Sequence, residues 1–280
     1  MIEITDIAEL RRWLGDERRA GRQIGFVPTM GALHEGHLRL VDEARRRADL
    51  VVMSIFVNPL QFGPKEDLSR YPRDLARDRA LASGRGVDLL FVPSVEAMYP
   101  PGAETRVVPG AAAERWEGAV RPGHFAGVLT VVAKLFHLVG PDLACFGQKD
   151  IQQFVLIRKM VRDLDLPVEL VMVPTVRDAD GLALSSRNVY LSAEERRAAL
   201  ALPAALDAAV AAWRAGERSG KRLEVVVGER LAGSERVVAD YIAVVEPEGL
   251  TPAGTAGAGT IIAIAARVGT TRLIDNVILG

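Results

Sequence analysis

The 280-residue chain has a single cysteine, Cys145, so no disulfide can close within it. It needs none, because 49% of its residues are hydrophobic and can bury a core without crosslinks or metals. Set in the apolar run 143–146, that thiol reads as a small buried hydrophobe, and its isolation fits a reducing compartment such as the cytoplasm. There is no charge excess either: Lys+Arg is 35 against Asp+Glu 36, a formal net charge of -1. Nucleic-acid binders show a basic excess or stripe, so no nucleic-acid partner is expected. The run Arg45-Arg46-Arg47 reads instead as the last turn of a helix, where cations suit the macrodipole. No stretch approaches the roughly 18 apolar residues of a membrane span, and none is expected to cross a bilayer. The opening residues Met1-Ile2-Glu3-Ile4-Thr5-Asp6 lack the basic and apolar regions of a signal peptide.

What is present is alternation. Apolar, β-branched runs at 24–27, 50–57, 87–92, 143–146 and 168–173 read as buried parallel strands. Helical patterns at 38–48, 74–83, 125–139 and 151–164 separate them, which predicts a doubly wound, Rossmann-like α/β domain over 1–175. Ligands of such sheets bind at the C-terminal edges of the strands. Beyond 175 the pattern changes to one long Ala-rich helix over 192–217, opened by the capping-box spacing Ser192 to Glu195, and a second helix over 221–231. Runs at 241–245, 260–266 and 271–278 then read as a small antiparallel sheet, with Gly-rich 251–260 as a flexible loop. A smaller α+β lid domain over 176–280 follows from this.

The sharpest motif is Pro28-Thr29-Met30-Gly31-Ala32-Leu33-His34-Glu35-Gly36-His37, directly after the first of these strands and before a helix. Glycines allow backbone to approach a ligand closely, and a helix N-terminus favours phosphate. His34 and His37, three apart, project from one face and can donate to charge developing on phosphate oxygen. A zinc site would want four-residue spacing and a third ligand, and only His124 and His137 remain elsewhere. The plainer alternative is a pair of helix-capping histidines. A second strand-to-helix turn, Gly147-Gln148-Lys149-Asp150, carries a lysine where the helix dipole disfavours one, which points to a phosphate. Gln61 and Gln153 can each donate and accept, as a hydroxy acid requires. Asp78 falls among the charges Asp74 and Arg77 and reads as a solvated face; neither it nor Asp88 is assigned as a metal ligand.

The ten-residue motif resembles the signature of the pantothenate synthetases, a branch of the nucleotidyl-transferring superfamily that carries His-x-Gly-His. The likeness continues through 54–62, the loop block 66–73, His124-Phe125-Ala126-Gly127-Val128, 146–150 and Leu184-Ser185-Ser186-Arg187-Asn188, with a weaker match at 269–276. The resemblance implies condensation of pantoate with β-alanine, driven by ATP with Mg2+, through a pantoyl adenylate that releases AMP and pyrophosphate. It assigns ATP to Met30, Gly31, Ala32, Leu33, His34, Glu35, Gly36 and His37, to Gly147, Gln148, Lys149 and Asp150, and to Val176, Leu184, Ser185, Ser186 and Arg187. Within these, His34, His37, Lys149 and Arg187 would carry catalysis. Gln61 would bind pantoate and β-alanine, Gln153 pantoate, and Asn58 would bind substrate or orient the loop beside it. The loop 62–71 and the second domain would close over the adenylate, and a homodimer is implied. Rival readings are a nucleotidyltransferase acting on a phosphate ester, which needs no Gln61 or Gln153 block, and a nucleotide-binding sensor that releases no AMP.

Overall fold

Asp6 starts the first helix by accepting the Glu9 N–H at 2.8 Å, and Arg18 and Arg19 close it at the carbonyl end. This helix, α1 (Ile7–Arg19), and the short strand before it, β1 (Ile2–Ile4), were not expected from the apolar runs. The computed structural model describes residues 1–63 and 68–280. Then come β2 (Ile24–Thr29), α2 (Glu35–Arg47), β3 (Leu50–Ile55), α3 (Leu75–Gly84), β4 (Leu89–Phe91) and α4 (Val95–Met98). They are followed by α5 (Glu117–Val120), α6 (His124–Val139), β5 (Leu143–Gly147), α7 (Ile151–Asp163) and β6 (Glu169–Val173). Arg45, Arg46 and Arg47 form the last turn of α2, as the macrodipole argument requires.

By its contacts the chain divides into two units. The first comprises Met1–Glu114, Gly118–Gly147 and Leu156–Val173, and the second Arg115–Glu117, Gln148–Val155 and Pro174–Gly280. In the first unit all six strands run parallel in the order β1-β4-β3-β2-β5-β6. The chain builds outward from β2 to β4, then returns to lay β5 on the other side of β2. That reversal is a topological switch point, where open α/β sheets bind ligands. Alternate residues feed two faces. Val27, Met53, Leu90 and Cys145 pack with Leu40, Val41 and Ala44 of α2 and Ala82 of α3. On the opposite face Phe26 meets Phe136 of α6 edge-on at 6.5 Å, and Phe136 meets Phe146 at 6.3 Å. Helix α6 is apolar nearly all round and accordingly buried.

The second unit has α8 (Ala193–Ala199), α9 (Ala201–Arg214) and α10 (Gly220–Ala232), then β7 (Val237–Val245), β8 (Ile261–Val268) and β9 (Thr271–Ile278) in one antiparallel sheet. The capping box is made: Ser192 Oγ accepts the Glu195 N–H at 3.1 Å, and Glu195 Oε2 accepts the Ser192 N–H at 2.8 Å. The single helix expected over 192–217 is two. Pro203 offers no N–H to the carbonyl four residues back and crowds it, so the helix breaks at Leu200. Leu202, Ala205, Leu206 and Ala209 of α9 share one face and pack with Leu223 and Val227 of α10 and Ile262, Ile264 and Ala266 of β8. The stretch 251–260 is packed rather than loose. Ala253 and Ala256 are buried, and their N–H groups donate to Val244 O at 2.8 Å and Arg218 O at 2.7 Å.

Candidate active site

In the first unit, the loop leaving β2 is held by its own histidines. His34 is the N-cap of α2, and its Nδ1 accepts the Gly36 N–H at 3.1 Å. His37 Nδ1 in turn accepts the His34 N–H at 3.4 Å, and the two rings lie 4.1 Å apart. A nitrogen that accepts carries no hydrogen, so each neutral ring bears its proton on Nε2. Capping and ligand donation therefore use opposite nitrogens, and the two readings of these histidines are compatible.

A carboxylate from α3 completes the loop. Asp78, read from sequence as a solvated face, is 2% exposed. Its two oxygens accept the Ala32 and Leu33 N–H groups at 2.9 and 2.8 Å. Ala32 has φ 51°, a left-handed conformation that costs a non-glycine residue about 1–2 kcal/mol. Two bonds to an ionised acceptor contribute roughly 1.5–3 kcal/mol each, so the strained turn is held. Gly31 is needed beside it, since with φ 83° a Cβ there would lie 2.9 Å from the carboxylate. The exposed neighbours Asp74 and Arg77 hid the inward face that Asp78 shares with Ala82, one turn on. Asp88 is also structural, accepting the Val51 N–H at 2.8 Å and pairing with Arg45.

Gln61 is 8% exposed and Asn58 1%, so neither is a surface amide. Asn58 caps the short turn Pro59–Gln61. Its Oδ1 accepts from Leu60 N–H at 3.2 Å and from the Tyr99 hydroxyl at 2.9 Å, and its Nδ2 donates to Gln61 Oε1 and Gly127 O, both at 3.1 Å. All four valences of that amide are thus used within the protein, which redirects Asn58 from ligand to support. Gly127 is required here, because a Cβ would lie 2.2 Å from Leu60 O. Gln61 Nε2 faces Met30 Sδ at 2.9 Å, and Gln61 O accepts from His124 Nδ1 at 2.9 Å. Burial pushes the Tyr99 phenol up to about 12, with Arg106 opposing, so it remains a donor. A cavity of about 310 Å³ opens beside Met30 and Gly31, walled by Phe56, Val57, Val92 and Asp78.

In the second unit, Lys149 lies on the tight turn Gln148–Asp150. Asn276 of β9, 1% exposed, donates to Gln148 O and Lys149 O at 2.9 and 3.0 Å and accepts from Gln148 Nε2 at 3.1 Å. Its neighbour Asp275 receives both arms of Arg177 at 2.7 and 3.0 Å, and Arg177 also donates to Gly181 O at 3.1 Å. Within the same hairpin the Leu184 N–H donates to Val176 O at 2.9 Å. Ser185 Oγ accepts the Arg187 N–H at 3.2 Å, and the Arg187 side chain is exposed. Gln153 is half-buried on α7, whereas Gln152 beside it is buried and binds Glu117 N–H and Arg115 O. Sequence reasoning missed Asp78, Tyr99 and Asn276 as supports, and no local pattern marks the last two. Of the loop 62–71, Phe62 and Tyr71 pack edge-on at 5.8 Å, while Glu66 and Asp67 lie outside the described residues. Among the described residues no group of three His, Cys, Asp or Glu could hold a metal.

The family model for pantoate–β-alanine ligase matches residues 3–278. Pantothenate synthetase of Chloroflexus aurantiacus is 55% identical over 274 residues, covering 98% of this chain and 96% of that protein. That of Pelotomaculum thermopropionicum is 51% identical over 280 residues, covering 100% and 99%. A crystal structure of pantothenate synthetase from Thermus thermophilus matches with 54% identity and a TM-score of 0.93, covering 99% of each chain. A pantoate–β-alanine ligase from Francisella tularensis, solved with β-γ ATP and β-alanine, matches with 33% identity and a TM-score of 0.81, covering 99% of this chain and 97% of that one.

Proposed function

From the premise that this chain belongs to the pantoate–β-alanine ligase family, we propose which of its residues carry the family's reaction and how. The reaction is the ATP-dependent condensation of pantoate with β-alanine to pantothenate, through pantoyl adenylate, releasing pyrophosphate and AMP. The rival readings, a phosphate-ester nucleotidyltransferase and a sensor module, fall with that membership.

Pantoate's carboxylate attacks the α-phosphorus in line, and pyrophosphate leaves from the opposite side. The β-alanine amine then attacks the activated carbonyl, expelling AMP. Such chemistry needs positioning and charge neutralisation more than covalent help from the protein. In this proposal the Nε2–H groups of His34 and His37 donate to phosphate oxygens as negative charge moves toward pyrophosphate. Lys149 supplies a point charge, and Arg187 a fork that grips two oxygens. The N–H groups opening α2 favour the same anion. Gln61 and Gln153 take pantoate, and Gln61 also lies beside β-alanine.

The observation that best supports these roles is the histidine pair, whose caps consume Nδ1 and leave the hydrogen on Nε2. Mg2+ is part of the proposal as a counter-ion that would neutralise the triphosphate. Asp78 and Asp88 are both committed to backbone N–H groups, so phosphate oxygens would be its main ligands. A cytoplasmic homodimer is carried over from the family; sedimentation velocity giving only monomer would remove that element. The test of the reaction is pantoate-dependent exchange of labelled pyrophosphate into ATP, with AMP appearing only when β-alanine is added. Exchange without pantoate, or none with it, overturns the assignment.

A further inference from the structure

Tyr99 stands outside every motif of the sequence, yet its hydroxyl reaches the fully hydrogen-bonded amide of Asn58. Two backbone groups fix which way that amide points. Asn58 Nδ2 meets the carbonyl of Gly127 and its Oδ1 meets the N–H of Leu60, so reversing it would set donor against donor and acceptor against acceptor. The remaining Nδ2 hydrogen then falls on Gln61 Oε1 at 3.1 Å, which fixes the second amide as well. Gln61 Nε2 is turned toward Met30. Tyr99 reinforces this polarity from a separate element, giving its proton to Asn58 Oδ1 at 2.9 Å.

The phenol is itself held from three sides. Its ring meets Phe56 at 6.0 Å, and Lys134 Nζ stands 5.7 Å from the ring centroid while donating to Met98 O. Arg106 approaches the ring at 6.0 Å. Of the bonds made by Asn58, those with Leu60 and Gln61 lie within the short turn that it caps. Those with Tyr99 and Gly127 tie Asn58 itself to other parts of the unit.

We propose that Tyr99 is a positioning residue for pantoate recognition: through Asn58 it holds the Gln61 amide with its oxygen on Asn58 and its nitrogen on the Met30 side, so that Gln61 meets the hydroxy acid as a donor to an acceptor oxygen. This rests on the reading of Gln61 as a pantoate ligand. A reversed Gln61 would present an acceptor to the substrate's carboxylate and repel it.

The test is a double-mutant cycle on the KM for pantoate. Tyr99→Phe keeps the ring and removes only the hydroxyl; it should raise that KM about tenfold, the size of one hydrogen bond, and leave the KM for ATP and the unfolding midpoint nearly unchanged. In a Gln61→Met background the same change should have no further effect on pantoate, because no amide remains to be oriented. Gln61→Glu, which puts an acceptor where the donor was, should raise the pantoate KM more than Gln61→Met does. An unaltered KM in Tyr99→Phe, or an equal rise in both backgrounds, overturns the proposal. If Gln61→Met alone leaves the pantoate KM unaltered, the parent reading of Gln61 fails, and this inference with it.

Discussion

The two units secure their functional segments by opposite means. In the first, the loop 28–37 is capped from within: His34 and His37 tie down backbone groups two and three residues away, and a carboxylate 45 residues on adds the long-range hold. In the second, the turn bearing Lys149 hangs on Asn276, 127 residues later, and the hairpin leading to Ser185–Arg187 hangs on Asp275 beside it. One strand end, β9, therefore supports both cationic segments.

Variants can break or sharpen that contrast. The largest effect is expected from Asp78→Ala, the exception that makes the first loop depend on a distant group. It strands the buried N–H of Leu33 and the half-buried N–H of the left-handed Ala32, which should cost about 3 kcal/mol in urea unfolding and abolish exchange activity. Wild-type stability in this variant would show that the loop caps itself without help. Asn276→Ala comes next, with kcat/KM for ATP falling roughly ten- to a hundredfold as Lys149 loses its fixed turn. Asn276→Asp keeps the acceptor for Gln148 and loses both donors, so it should be impaired nearly as much. Full activity in either would show the turn to be self-supporting.

A pH-dependent effect involves two buried groups of the first unit. Burial pushes the Cys145 thiol up to about 12 from 9.0 and the Tyr99 phenol up to about 12 from 10.0. The folded state holds these protons more tightly than the unfolded chain. Their contribution is therefore whole below pH 9 and is lost as pH rises through about 12. Thermal unfolding should shift downward across that window, and Cys145 should resist alkylation until the protein unfolds; rapid native labelling would contradict its burial. The smallest effect is Ser192→Ala, about 1 kcal/mol from the capping box of α8, with activity retained.

The same contrast explains what could be read in advance. Strand runs such as 50–57 and the turn 28–37 act over a few residues, so composition and spacing reveal them. The parallel sheet, the antiparallel sheet and the strand-to-helix placement of Lys149 followed directly from such patterns. Pro203 lies inside the Ala-rich run that reads as one helix, and the break it causes comes from its effect on the carbonyl four residues back. Asp78, Tyr99 and Asn276 act across 45, 41 and 127 residues, and nothing local distinguishes the last two from ordinary polar positions. Asp78 alone left a trace, its place one helical turn before the buried Ala82.

The claim on which the mechanism turns is that the histidines of the first loop do more than cap a helix. His34→Asn decides it, because asparagine is among the best N-cap residues and lacks the Nε2 donor. The account predicts an unchanged unfolding midpoint with pantoate-dependent pyrophosphate exchange reduced by about a hundredfold or more. Near-normal exchange in a protein of undiminished stability would leave His34 as a cap alone and contradict the account.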